Sequence, residues 1–202
     1  MKILAIGRNY VDHIEELNNE QPDEPVVFFK PESAVLKKNE PFFYPSISND
    51  VHHEVEVLLK INRVGKNIEE RFAHKYYDEI GLGIDFTARD LQSKAKAKGL
   101  PWDLAKGFNG SAPMSKFRPK EDYDLNNLDF SLSIDGNEVQ KGNTSLMLFS
   151  FDYIISYVSK YFTLKRGDII FTGTPKGVGP VQINNHLDGY LNGEKLLDFN
   201  VK

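Results

Sequence analysis

Apolar residues in this chain come mostly in short runs closed by turn-forming residues, the pattern of strands rather than of long helices. Residues 2–6 form a short apolar strand that stops at Gly7. A second, bracketed by Pro25 and Pro31, is followed over 33–48 by extended pieces and turns. In 52–59 (HHEVEVLL), Val55 and Val57 alternate with Glu54 and Glu56, which predicts one strand carrying both carboxylates on one face, ~6–7 Å apart. Residues 80–87 (IGLGIDFT) make an apolar, glycine-containing strand ended by a carboxylate, Asp85. Two hairpins are signalled by turn residues that tolerate positive φ. One joins 128–134 to 138–141 through Asp135-Gly136-Asn137; the other folds 190–201 about Asn192-Gly193. Helical spacing is confined to a helix or folded loop at 10–17, a weak pattern at 69–75, a helix over 90–98 ending at Gly99, and the longest stretch, 146–162. In the last, Phe151, Ile154, Ile155, Val158 and Phe162 form a stripe that faces a core.

At 202 residues with 40% hydrophobic and 12% aromatic content, the chain can close one sizeable core, and with no linker dividing it a single domain over 1–202 is expected. The net charge of -4 is spread along the chain, which argues against nucleic-acid and anionic-membrane partners, so a small anion would have to be captured locally. The absence of cysteine excludes disulfides, thiolate metal sites and thiol nucleophiles. No apolar run is long enough to span a membrane, and the opening MKILAIG is too short for a signal-peptide core, so a cytoplasmic protein is expected.

Against this background a few polar residues stand out. Glu54 and Glu56 side by side repel each other, and an all-oxygen pair suits magnesium, manganese or calcium better than zinc; the alternative is a solvated strand face. Asp85 at the end of an apolar strand needs a cation or several donors if buried, or else caps the helix that follows. Three carboxylates would complete a facial oxygen set. On a helix, His13 and Glu16 share a face, so that the carboxylate could orient the imidazole, although such neighbours are often merely solvated. The polar residues that follow, to 24, could act as a lid. Arg89 and Gln92 lie one turn apart, facing either the same pocket as Asp85 or solvent. Lys106 sits among apolar and small residues, snorkelling or acting electrostatically. The glycine-rich loop 172–180 lacks a P-loop ending, yet its backbone donors and Thr174 could cradle a carboxylate; the alternative is a tight structural turn.

Taken in order, GRNYVDHIEE, VVFFKP, HHEVEV, GIDFTARDLQ, GLPWDLAKGF and GDIIFTGTPKGVGP resemble the fumarylacetoacetate hydrolase family, and the resemblance covers most of the chain. It looks most like the short, single-domain acylpyruvate hydrolase and oxaloacetate decarboxylase branch. The resemblance implies an α+β fold, a mixed β-sheet roll or sandwich of that family's C-terminal-domain type, in a homodimer. It also implies Mg2+ or Mn2+ held by Glu54, Glu56 and Asp85, and an acid–base pair, His13 and Glu16, on a segment (about 10–24) that orders over the substrate. Lys106 then lies beside the metal as a catalytic group, and Arg89, Gln92 and Thr174 line the substrate pocket. The expected activity is metal-dependent carbon–carbon bond cleavage of a small α-keto acid through a metal-bound pyruvate enolate: acylpyruvate hydrolysis, oxaloacetate decarboxylation or tautomerisation. The alternatives are a 2-hydroxyhepta-2,4-diene-1,7-dioate isomerase and a non-catalytic, calcium-stabilised β module. Two features depart from the family pattern: Asn109-Gly110-Ser111 after the lysine motif, and His186 where an acid is expected.

Overall fold

The computed structural model describes residues 1–16, 20–37 and 39–202. Its largest element is an eight-stranded mixed sheet. The strand order is β2 (Val26–Lys30), β1 (Ile3–Gly7), β12 (Ile169–Phe171), β5 (Val55–Ile61), β6 (Tyr77–Ile84), β8 (Ala112–Met114) and β3 (Val35–Lys37), with β9 (Arg118–Pro119) also pairing with β6. The pairs β1–β12 and β3–β8 are parallel and the rest antiparallel. A four-stranded antiparallel sheet runs β11 (Asn137–Asn143), β10 (Asp129–Ile134), β14 (His186–Leu191), β15 (Glu194–Asn200). A three-stranded sheet joins β13 (Gly179–Pro180), β4 (Val51–His53) and β7 (Thr87–Ala88).

The alternation along β5 decides where the cores lie. Val55, Val57 and Leu59 enter the main core with Leu82, Phe130, Leu132, Leu187 and Leu197, between the large sheet and the four-stranded one. Leu58 points the other way, into a smaller cluster with Ile3, Ala5, Met114 and Phe171. Full burial of one such side chain is worth ~1.5–3 kcal/mol, so this apolar register fixes where the intervening Glu56 must point: onto the Leu58 face. Its cross-strand partner on β6 is Gly83, where an added Cβ would meet Leu58 and Phe171 side-chain carbons at 2.9 Å. A glycine there lets the two layers close beside a buried carboxylate.

Among the described residues five α-helices decorate the sheets: α1 (Val11–Glu16), α2 (Glu70–Ala73), α3 (Arg89–Ala97), α4 (Asp103–Lys106) and α5 (Phe151–Tyr161). Among the described residues no helix is long and apolar enough to cross a membrane. Several expected boundaries shift. The strand expected at 52–59 is two strands in different sheets, broken at Glu54, because the Val55 N–H is claimed by Gln140 Oε1 (3.0 Å) and the Glu54 carbonyl accepts from Asp85 N (2.8 Å). The helix expected over 146–162 begins only at Phe151, capped by Ser150, whose Oγ accepts from Tyr153 N. Leu146 closes a 3-10 turn (Thr144–Leu146), and Asn9 takes the N–H groups that follow: its carbonyl accepts from Leu148 N (2.9 Å) and its Oδ1 from Phe149 N (2.7 Å). The strand expected at 80–87 begins at Tyr77 and stops at Ile84. Residues 10–17 do contain a helix, α1; of the stretch 10–24 expected to form a lid, residues 17–19 lie outside the described residues.

Candidate active site

Glu54 occupies the break between β4 and β5, Glu56 is the second residue of β5, and Asp85 directly follows Ile84, the cross-strand partner of Val55. Adjacent strand ends thus bring three buried carboxylates together, with one oxygen from each lying within 4.8 Å of the others. Lys106, at the end of α4, places its Nζ 2.8 Å from Glu54 Oε2, 2.7 Å from Asp85 Oδ2 and 2.6 Å from Thr87 Oγ1. Arg89, the first residue of α3, donates through Nη2 to Glu54 Oε1 (2.6 Å) and through Nη1 to Gln92 Oε1 (2.7 Å). Lys30, at the end of β2, pairs with Asp85 Oδ1 at 2.6 Å; it also donates to the carbonyls of Lys106 and Ser111 and so fixes the chain around α4.

Glu56 differs from its two neighbours. Its only hydrogen-bond donor among the described residues is the Gly173 N–H, 2.6 Å from Oε2. Gly173 has φ +106°, and an added Cβ would lie 2.6 Å from the Asn9 Cβ, so the loop can present this N–H only with glycine in place. Burial and the adjacent Asp85 carboxylate push the Glu56 pKa well above the usual range. Burial would do the same to Glu54, but Lys106 and Arg89 hold its pKa well below that range. Burial would lower the Lys106 pKa, yet Asp85 and Glu54 raise it, so this ammonium stays charged. The buried Tyr10 hydroxyl is unpartnered among the described residues, and burial together with the Glu56 charge raises its pKa.

His13 and Glu16 approach from α1. His13 Nδ1 lies 3.2 Å from Glu16 Oε2, while Glu16 Oε1 accepts from Gly177 N (3.0 Å) in the glycine-rich loop. An ionised Glu16 keeps the imidazole proton on Nδ1 and leaves the Nε2 lone pair free. Burial lowers the His13 pKa against the opposing pull of Glu54 and Glu16, so the ring is neutral at pH 7. His13, Gln92 and Thr174 share the wall of the cavity at the carboxylate cluster, which encloses ≈ 30 Å³.

All nine residues singled out in the sequence therefore border this one cavity or, as Glu16 does, contact one that does. The expected loop cradle is already engaged: the Gly173 and Gly177 N–H groups bind Glu56 and Glu16, and Thr174 Oγ1 accepts from Gln140 Nε2 (2.9 Å). Lys30 and Gln140 are absent from the sequence expectations. Lys30 ends an apolar run before Pro31, which reads as scaffold, and only its contact with Asp85 reveals its part. Gln140 is buried and ties His53 Nδ1 (2.9 Å) and Val55 N to the 172–180 loop; nothing in the hairpin pattern marks it.

Comparison with known proteins agrees with this geometry. A family model described as fumarylacetoacetate (FAA) hydrolase C-terminal matches residues 2–198. The chain is 44% identical to the oxaloacetate tautomerase FAHD1, mitochondrial, of Bos taurus, over 99% of this chain and 91% of that protein. It is 47% identical to the oxaloacetate decarboxylase, mitochondrial, of Dictyostelium discoideum, over 90% of this chain and 84% of that one. The crystal structure of fumarylpyruvate hydrolase from Pseudomonas aeruginosa in complex with Mn2+ and pyruvate superposes with a TM-score of 0.94 at 31% identity, over 100% of this chain and 89% of that one. The α+β fold with its mixed sheet is that of these proteins, and the chain belongs to the fumarylacetoacetate hydrolase family.

Proposed function

We propose that this protein is an enzyme acting on a small α-keto acid, with magnesium or manganese held by Glu54, Glu56 and Asp85, and that it cleaves the carbon–carbon bond beyond the keto group or tautomerises the substrate. The observation that carries this reading is a buried cluster of three carboxylates in which Glu56 has no cationic contact among the described residues. A buried charge left that way is costly, and an all-oxygen donor set fits a hard divalent ion. The names of the relatives support the substrate class: two act on oxaloacetate, and the structural neighbour holds Mn2+ with pyruvate.

The ion, when bound, supplies a hard electrophile for the adjacent carboxylate and keto oxygens of the substrate. Lys106 adds positive charge beside the keto oxygen as the electrons of the breaking bond move onto it. Arg89, Gln92 and Thr174 orient the substrate carboxylate from the cavity wall. Neutral His13, its Nδ1 proton held by Glu16, takes a proton at Nε2. From water, that proton transfer lets hydroxide attack a distal carbonyl and release pyruvate with a carboxylic acid. From the carbon beside the keto group, it begins tautomerisation. Loss of carbon dioxide from oxaloacetate requires no water attack. One catalytic domain over 1–202, paired as a homodimer, completes the proposal.

Oxalate, which resembles a pyruvate enolate, provides the test. With magnesium, oxalate at about 100 times its Kd should stabilise the fold by ~2.7 kcal/mol, a melting rise of roughly 5–10 °C, and without magnesium it should do nothing. Stabilisation by oxalate alone would defeat the proposal. Stabilisation by calcium with no response to oxalate would favour the non-catalytic module.

A further inference from the structure

Gln140 is a polar residue where the strand pattern places core. On β11 it stands opposite Leu132 of β10, and both side chains are buried. An amide buried there needs each of its hydrogen-bonding positions filled. All four are: Oε1 accepts from Val55 N (3.0 Å) and from His53 Nδ1 (2.9 Å), and Nε2 donates to the Pro175 carbonyl (3.0 Å) and to Thr174 Oγ1 (2.9 Å).

Two of these partners decide which way the amide faces. The Val55 N–H can only donate and the Pro175 carbonyl can only accept, so Oε1 and Nε2 cannot exchange places. The other two partners then have no choice either. His53 carries its proton on Nδ1, and the Thr174 oxygen accepts. With Nε2 engaging one of its lone pairs, the Thr174 hydroxyl cannot turn its own proton toward Gln140. Among the described residues no acceptor takes that proton, and the buried Thr174 side chain lines the cavity at the carboxylate cluster.

We infer that Gln140 is a positioning residue for the proposed reaction: by occupying the acceptor side of Thr174 it commits that hydroxyl to donate into the cavity, where a substrate carboxylate takes the bond. A hydroxyl left to rotate would present an anion with a lone pair as readily as with a proton. The inference rests on the proposed role of Thr174 as a substrate contact beside the ion. It gives the four-stranded sheet a part in the site, because Gln140 belongs to its edge strand.

The test is a double-mutant cycle read by calorimetric titration of oxalate in the presence of magnesium. Thr174→Val should weaken oxalate ~10-fold or more, as expected for a lost hydrogen bond to a charged group, and Thr174→Ser should keep the parent affinity. Gln140→Met leaves the hydroxyl in place but undirected and should weaken oxalate ~5-fold. The double variant decides. Added to Thr174→Val, Gln140→Met should cost less than a further ~2-fold, since the hydroxyl through which it acts is gone. With oxaloacetate, the Gln140→Met loss should fall on KM and leave kcat near that of the parent. Should Gln140→Met fail to fold, Gln140→Glu, whose carboxylate keeps the contacts with Val55 and His53 and gives Thr174 no proton, carries the same cycle. Losses that multiply in the double variant, or an oxalate affinity unmoved by the Gln140 change, overturn the inference and leave the site proposal standing. An affinity unmoved by Thr174→Val overturns the contact itself, and with it the role of Gln140. Failure of the unaltered protein to bind oxalate with magnesium overturns the site proposal as well.

Discussion

Glu56 is the residue on which the proposed ion most depends, because Glu54 and Asp85 already touch cations and, among the described residues, it does not. Glu56→Gln keeps an oxygen for the Gly173 N–H while removing one of three crowded charges. The metal-free variant should therefore melt slightly above the parent, whereas the rise given by oxalate with magnesium should vanish. Melting curves with and without magnesium check both halves, and turnover with unchanged magnesium dependence would remove Glu56 from the ligand set. The carboxylates were legible because a charge inside an apolar run demands a partner wherever it is placed. Arg89 and Gln92 were legible as a pair one turn apart, and they do bond to each other; that the other arm of Arg89 reaches Glu54 was not, since it depends on packing 35 residues away. Lys30 was missed because a lysine at a strand end is usually solvated. Only the approach of Asp85, 55 residues on, makes it a buried ion pair.

The tail hairpin β14–β15 shows an element whose turn and charges can both be followed. Asn192 (φ +46°) and Gly193 (φ +80°) form the two-residue turn, and Asp135 with Gly136 repeats the device between β10 and β11. At the position where an acid is expected from the sequence, His186 sets Nδ1 3.0 Å from Asn200 Oδ1 and Nε2 3.2 Å from oxygens of Asp188 and Asp198. The Asn200 bond, with those two carboxylates, raises its pKa despite some burial. A folded pKa above the unfolded value of ~6.5 means stability that is fully present below ~6.5 and lost as the pH rises through the folded pKa. The ring is more than a third exposed, so screening holds the effect under about 1 kcal/mol. His186→Gln should accordingly lower the melting temperature by ~1–3 °C at pH 5.5 and by almost nothing at pH 9. Equal losses at both would assign the effect to the neutral bond with Asn200. Hairpins and α3 were legible because their signals are local. The strand at 52–59 and the helix at 146–162 were overdrawn because distant side chains, Gln140 and Asn9, take the backbone N–H groups that the local pattern assigns to the ladder or helix.

Over the whole molecule, the cavity is assembled in two halves. One is built into the sheets: Glu54, Glu56 and Asp85 at the ends of β5 and β6, with Lys30, Arg89 and Lys106 from β2, α3 and α4 around them. The other is α1, laid over the first and tied to the 172–180 loop by Glu16 with Gly177 N and by Asp12 with Lys176 Nζ (2.7 Å). This arrangement of three sheets was not legible from hydrophobic spacing, which says nothing of which distant strands pair; the family motifs supplied the fold class instead. The division into halves predicts that their chemistry separates. In His13→Ala the carboxylates and Lys106 are untouched, so oxalate should still raise the melting temperature with magnesium. Hydrolysis of an acylpyruvate, which must deprotonate water, should fall by ~10² to 10⁴, the usual range for losing a positioned general base. Decarboxylation of oxaloacetate requires no water attack, does not draw on the His13 base and should fall much less. Both rates measured on the one variant decide the matter. Equal losses would mean that His13 serves to hold α1 over the cavity, and its role would pass from proton transfer to closure.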